Sequence, residues 1–390
     1  MSKLKATSRI GTHVVTTVAG EQVQAYVPPP LPPSPPVEME SLYVLLEDAN
    51  RALGRLDGTT SILPDTSLFL YMYIRKEAVL SSQIEGTQSS LSDLLLFENN
   101  EVPGAPLDDV QEVSNYVSAM DHGLERLRGG FPLSLRLMKE IHSALLEKGL
   151  GSDKSPGEFR RSQNWIGGSR PGNAVYVPPP PDRLMETMGD LESFIHETTP
   201  NLPVLVKAGL IHVQFESIHP FLDGNGRLGR LLVTFLLCAN GVLREPTLYL
   251  SLFFKRNRKR YYELLQAVRE DGDWESWLRF FLIGIRETSD QAAAAARQIL
   301  TLFENDRKRI DALGRPAASA LRIHQYLLTR PLTSVAAARS ALSISAPTIR
   351  KSIDHLMALG IVRETTGRQR GRLFVYDEFL EILNQGTEPL

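Results

Sequence analysis

The 390-residue chain has a single cysteine, Cys238, so no internal disulfide and no thiolate metal site can form. Cys238 falls inside an apolar helical pattern and reads as inert core, which fits a reducing, cytoplasmic compartment. Long apolar runs are also missing. The most apolar stretch, Leu231 to Leu243, is interrupted by Asn240 and Gly241 and is too short to span a bilayer. No apolar segment of signal-peptide type follows Met1, so the expectation is a soluble protein with no membrane partner. Neither sign of charge dominates, and a net charge of −2 selects no class of partner. With 42% hydrophobic and 23% charged residues, the chain is ordinary globular protein with room for two or three domains.

What is present centres on Ile218-His219-Pro220-Phe221-Leu222-Asp223-Gly224-Asn225-Gly226-Arg227-Leu228-Gly229-Arg230. Upstream, Pro203 to Ser217 is apolar at helical spacing, and Pro220 disfavours helical geometry at the residue before it, so His219 should stand where that helix stops. Downstream, Leu228 to Cys238 is apolar and free of breakers, which predicts a second helix beginning near Arg227, with Gly224-Asn225-Gly226 feeding its N-terminus. Arg227 and Arg230 then fall in the expected first turn, where the helix dipole disfavours cations, so an anion is expected beside them. Asp223 is placed to hold a Mg²⁺ bridging phosphate oxygens. His219 is left for proton transfer.

Three other patterns share these residues. Gly224, Gly226 and Gly229 spell G-x-G-x-x-G with Glu245 beyond, but a helical pattern and His-Pro precede the loop instead of the buried strand a dinucleotide fold requires. A P-loop Gly-Lys-Ser/Thr is absent. Glu216 and His219 make a lone E-x-x-H, short of the two pairs a di-iron site needs. A plain capped helix junction leaves both arginines unexplained.

The stretch resembles, without a gap, the Fic family signature H-x-F-x-[D/E]-G-N-G-R-x-x-R. The resemblance implies transfer of AMP from ATP to a Ser, Thr or Tyr hydroxyl of a protein. It implies His219 as the base, Asp223 as the Mg²⁺ ligand and Gly224, Asn225 and Gly226 as an anion hole. Arg227 and Arg230 would clamp phosphates, with Leu228 and Gly229 in the same binding turn. Fic proteins also carry an inhibitory [S/T]-x-x-x-E-[G/N] motif on an earlier helix, and Ser81, Glu85 and Gly86 match it. On the residues alone, Glu85 at a helix C-terminus opposes the dipole, and Gly86 is a natural C′ residue. The resemblance would pair Glu85 with Arg230, in the place of the γ-phosphate. In some relatives the same glutamate supports AMP removal.

Taken in order, residues 1–40 carry little apolar pattern and end in an extended, proline-rich arm, Pro28 to Pro36. A helical region over 41–110 follows, with a break at Gly58-Thr59-Thr60 before a helix from Leu68 to Ile84. Residues 111–288 form the expected catalytic core. Two helices lie within 110–150, the second opened by Pro132; short β-like runs around Ile166-Gly167-Gly168 and Val175-Tyr176 then suggest a hairpin resembling the family's target-binding flap. Tyr261 and Tyr262, after the basic run Lys255 to Arg260, resemble the adenine-side tyrosines, while Arg269 stands roughly where some relatives have asparagine. Trp274, Trp277 and Phe280 read as core.

An alanine-rich connector occupies 289–315, and 316–390 looks like a winged helix-turn-helix. Over 316–375 nine Lys or Arg stand against Asp354 and Glu364, a net +7, with Thr348, Arg350 and Lys351 on the second helix and Arg368, Arg370 and Arg372 in the wing. The fold class is therefore mainly α: a Fic-type helical bundle with a β-hairpin flap and a C-terminal winged helix. The function implied is an adenylyltransferase using ATP and Mg²⁺ and restrained by Glu85. AMP removal, phosphate transfer and a nucleotide-sensing DNA-binding regulator are its rivals. A protein substrate, the chain itself included, DNA at the winged helix and a homodimer are the partners left open.

Overall fold

The computed structural model describes residues 9–61, 66–198 and 201–389, so the first eight residues of the expected N-terminal arm lie outside it. Thr12–Val18 (β1) and Glu21–Val27 (β2) pair antiparallel. Their two-residue turn, Ala19-Gly20, has positive φ at both positions, which matches the twist of a tight hairpin. This departs from the unpatterned arm expected over 1–40. The Thr/Val alternation places Val18, Val23 and Ala25 on Val177, yet Val15 remains exposed, so the apolar face was too small to register as a strand signal. The proline-rich arm that follows is held to the body: Gln214 donates to Pro29 O at 2.8 Å, and Arg9 donates to Pro35 O and Pro36 O.

From there the chain is mainly helical: Tyr43–Ser61 (α1), Thr66–Glu85 (α2), Leu91–Glu98 (α3), Leu107–Arg128 (α4), Leu135–Leu145 (α5), Pro181–His196 (α6), Val204–Ile218 (α7) and Asn225–Ala239 (α8). Helix α1 runs through Gly58-Thr59-Thr60, where a break was expected. Thr59 and Thr60 bond back to the carbonyls of Arg55 and Leu56, which lets both residues continue the helix. Helix α5 starts at Ser134, which caps Leu137 N, two residues past Pro132. Helix α3 was not expected from the sequence; its signature is the Ser90/Asp93 capping box.

Ser251–Arg256 (α9), Arg258–Asp271 (α10) and the 38-residue Trp274–Asp311 (α11) follow, the last absorbing the expected connector. Then come Ala317–Thr329 (α12), Leu332–Ser334 (β3), Val335–Leu342 (α13), Ala346–Ala358 (α14), Arg363–Glu364 (β4), Leu373–Val375 (β5) and Asp377–Asn384 (α15). The last three strands form one antiparallel sheet in the order β3-β5-β4.

Two compact units divide the chain. The first comprises the chain up to Leu53, Gln111–Pro246 and Phe253–Glu287; the second comprises Gly54–Val110, Thr247–Leu252 and Thr288 onward. In the first, α7 is buried on all sides, which marks it as the central helix. Trp277 donates its indole N–H to Gly209 O at 2.9 Å, and Leu278 and Phe281 crowd that glycine. In the second, α2 packs against α12 and carries buried charges that are all paired. Arg75 bonds to Glu98, Glu77 accepts from Ser251, and Lys76 donates to Gln385 O. Among the described residues no helix is long and apolar enough to cross a membrane.

Candidate active site

A helix leaves its last four carbonyls without intrahelical donors, and at the end of α7 each has another donor. The C-cap His219 closes the last helical bond, to Phe215 O at 2.9 Å, and its own carbonyl accepts from Arg160 Nε at 2.9 Å. Glu216 O accepts from Arg269 Nη2 at 3.2 Å, Ser217 O from the Tyr176 hydroxyl at 2.6 Å, and Ile218 O from Arg160 Nη2 at 3.3 Å. Arg269 also reaches Ser217 Oγ and lies 3.9 Å over the Tyr176 ring. Two buried guanidiniums thus sit at the negative end of the helix dipole, where cations are favoured. Burial lowers the pKa of Arg160 to about 10. His219 is the C-cap, in the left-handed conformation at φ 50°, with Pro220 directly after it. That turn ends α7 where the sequence places the stop.

The next residues form a closed loop. Asn225 accepts from Phe221 N and donates to Phe221 O, both at 2.9 Å, so its side chain fastens the loop from within. Phe221 stacks on His142 with ring centres 3.7 Å apart. His142 Nδ1 accepts from Gly157 N, which leaves Nε2 protonated and donating to Asp223 O at 2.9 Å. Burial lowers the His142 pKa to about 4, so the ring is neutral. Gly224, at φ 73°, is the N-cap of α8, and the first amides of that helix follow at Asn225, Gly226 and Arg227.

Arg227 is buried and lies 3.0 Å from Glu112 of α4, with Asp223 at 3.6 Å. Its expected anionic neighbour is therefore in part a glutamate from another helix, which the sequence reading did not select. Arg230 is also buried but one turn further along; only Arg227 lies in the first turn, because α8 begins at Asn225. A Cβ at Gly229 would stand 2.4 Å from Glu216 Oε1, so glycine lets α7 and α8 approach closely.

The Asp223 side chain is 45% exposed, and no group of three metal-ligating side chains occurs among the described residues. One accessible carboxylate beside a helix N-terminus fits Mg²⁺, which prefers few protein ligands plus phosphate oxygens.

The two tyrosines separate. Tyr261 is fully buried, and its hydroxyl donates to His212 Nε2 at 2.8 Å. His212 Nδ1 in turn donates to Gly229 O at 3.0 Å, and the ring stacks on Trp277. Burial lowers the His212 pKa to about 4. Tyr261 thus supports α8 from within the core, and of the two tyrosines expected beside adenine only Tyr262, 42% exposed, is accessible.

The expected flap is a single bridge between Ile166 and Tyr176. Gly167 and Gly168, both at positive φ, end the extended run, and Asn173 Oδ1 closes the turn on Ser169 N and Arg170 N. The N-terminal hairpin supports it: Tyr26 donates to Val177 O at 2.8 Å, and Glu21 accepts from Arg170 and Gly172. A cavity of about 340 Å³ lies between them, walled by His13, Gln24, Tyr26, Val175, Gln266 and Arg269. In the second unit, α2 ends at Glu85 and Gly86 has φ 114°; Ser81 is buried and Glu85 exposed.

Residues 43–125 match the Fic/DOC family N-terminal model and residues 132–237 the Fic/DOC family model. Among curated proteins, a protein adenylyltransferase Fic of Aedes aegypti is 33% identical over 240 residues, covering 59% of this chain and 44% of that protein. Its counterpart from Drosophila virilis is 31% identical over 254 residues, covering 64% and 48%. The chain thus spans about half the length of these curated relatives. A crystal structure of a Fic family protein from Desulfovibrio desulfuricans G20 shares the fold, with a TM-score of 0.57 at 21% identity, covering 90% of this chain and 98% of that one.

Proposed function

Because the chain belongs to the Fic/DOC family, we propose that it is a protein adenylyltransferase acting at the junction of α7 and α8. His219 takes the proton from a Ser, Thr or Tyr hydroxyl of a protein target. The hydroxyl oxygen attacks the α-phosphorus of ATP, the bond to the bridging oxygen breaks, and pyrophosphate leaves. The amides of the Gly224–Gly226 turn and the guanidiniums of Arg227 and Arg230 receive phosphate charge, with Leu228 and Gly229 in the same turn. Asp223 would hold Mg²⁺, whose charge offsets that of the departing pyrophosphate. Ile166 to Gly168 and Val175-Tyr176 would hold the target segment, and Tyr262 would face the base.

The observation that carries this reading is the fixed left-handed turn at His219, set one closed loop away from the glycine-capped start of α8. This adjacency supports reading His219 as a base beside a helix start that receives phosphate. Glu85, at the end of α2 with Ser81 and Gly86, is assigned as the brake on transfer. AMP removal remains its alternative role. Residues 316–390, which include the order α12-β3-α13-α14-β4-β5, are read as a winged helix-turn-helix.

The test uses wild-type, Glu85→Gly and Glu85→Gly/His219→Ala protein, incubated with Mg²⁺, a cell lysate as target source and ATP labelled, in parallel lanes, at the α or the γ phosphate. The α-label on protein should rise in the first variant and vanish in the second, while ATP binding survives. Transfer of γ-label alone would replace the reading with phosphotransfer, and no label in any lane would remove it.

A further inference from the structure

Helix α7 ends on a residue that pays a steric penalty for its left-handed backbone; its N–H is tied to Phe215 O within the helix, and its carbonyl is held from outside, by Arg160. Its Nε donates to His219 O at 2.9 Å and its Nη2 to Ile218 O at 3.3 Å, while its own main-chain N–H donates to Pro220 O at 2.9 Å. Three consecutive carbonyls around the histidine thus converge on one residue.

The same guanidinium reaches the segment that carries the Ile166–Tyr176 bridge, on both sides. Nη1 donates to Ser162 O at 3.3 Å, before the bridge, and Nη2 to Pro179 O at 2.6 Å, after it. Gln163 and Asn164 add bonds to Pro178 O and Phe221 O. Arg160 is 3% exposed and its bonds to Pro179 O and Ile218 O are buried, so those two carbonyls have no water to substitute for it. A planar fork with several fixed donors can satisfy this set; an ammonium on a flexible stem can satisfy only part of it.

We propose that Arg160 is a positioning residue for the transfer reaction, fixing the backbone of His219 and tying it to both stems of the 162–179 segment so that base and target segment share one register. The proposal rests on the functional reading above for its kinetic consequence, but not for its geometric one. Arg160 touches neither the Gly224–Gly226 turn nor Arg227 in its hydrogen bonds, so nucleotide binding is not its task.

The experiment compares Arg160→Lys and Arg160→Met with their parent in the Glu85→Gly background, each first checked for a cooperative thermal melt. A displacement of about 1 Å at the reacting group lowers kcat by about a hundredfold, so a loss of that size is expected for Met, and a smaller one for Lys, with KM for ATP within about threefold of the parent. The second readout needs no activity: the His219 imidazole resonance, assigned by its loss in His219→Gln, should shift in both variants. A parental kcat in a folded Arg160→Met protein would overturn the proposal, as would a loss expressed only in KM for ATP. If the parent itself transfers nothing, the functional reading falls and the resonance alone decides: a shift supports the positioning role, an unmoved signal ends it. If Arg160→Met fails to fold, Arg160→Lys carries the same two outcomes.

Discussion

Arg227 and Glu112 form the site's most buried ion pair, and its value depends on which partner is removed. Breaking a buried pair leaves a charge with no water and no counter-ion, at a cost of about 3–5 kcal/mol. Asp223, 3.6 Å away and half-exposed, compensates part of that. Glu112→Gln should therefore destabilise the protein by about 2–3 kcal/mol, read as a lower urea midpoint at neutral pH; an unmoved midpoint would sink the pairing argument. His212 gives a pH signature with a definite sign. Burial lowers its folded pKa from 6.5 to about 4, so below 6.5 the unfolded chain takes up a proton that the folded chain refuses. Its contribution is complete above 6.5 and declines as pH falls towards 4, by on the order of 2 kcal/mol at about pH 5. His142 and His324 act in the same direction. His212→Phe should start less stable at about pH 7.5 yet lose less on going to about pH 5, and equal losses in the two proteins would refute the assignment. None of these pairings was legible in the sequence, because Glu112, His142 and His212 acquire meaning only from residues 15 to 115 positions away.

Helices whose signals were local could be read with near-correct ends: α7 from its apolar run and His-Pro stop, and α8 from the glycine loop. Elements that depend on a remote surface could not. The β1–β2 hairpin has a face only because Val177 covers it. The continuation of α1 past Gly58 is a local case instead, with Thr59 and Thr60 bonded back to carbonyls of the same helix. Close helix approach was equally hidden. Gly123 of α4 lies against Phe235 of α8, where a Cβ would stand 2.3 Å from the ring tip and under 3 Å from two further ring atoms. Phe235 is fully buried and has nowhere to turn. Overpacking costs about 1–3 kcal/mol, and the better helix propensity of alanine returns at most about 1. Gly123→Ala should thus lose about 1–2 kcal/mol in a denaturant melt, and a gain in stability would show that the two helices separate freely.

Across the whole molecule, a net charge of −2 conceals a strongly uneven distribution, since residues 316–375 carry +7. Not all of that charge is available to a partner. Arg363 is bidentate with Asp377, Arg368 is 2.9 Å from Glu101, and Arg322 and Arg330 donate to Leu342 O and the Tyr71 hydroxyl. Arg339 stands exposed on α13, Arg350 and Lys351 on α14, the helix that follows the α13 turn, and Arg370 between β4 and β5, with Arg372 half-buried two residues on. If this module grips a duplex, phosphate neutralisation falls to these five, and removing any one that contacts a phosphate should flatten the plot of log K against log salt by about 0.9. Arg350→Ala/Lys351→Ala should therefore reduce the slope by about two, whereas Arg368→Ala, whose charge Glu101 already holds, should change it little. Fluorescence anisotropy of a labelled duplex across a salt series measures both. A slope reduced equally by Arg368→Ala would mean that the Glu101 pair opens on binding. Absence of salt-dependent binding would instead leave α14 as a surface for protein, and the +7 as the charge of that docking face.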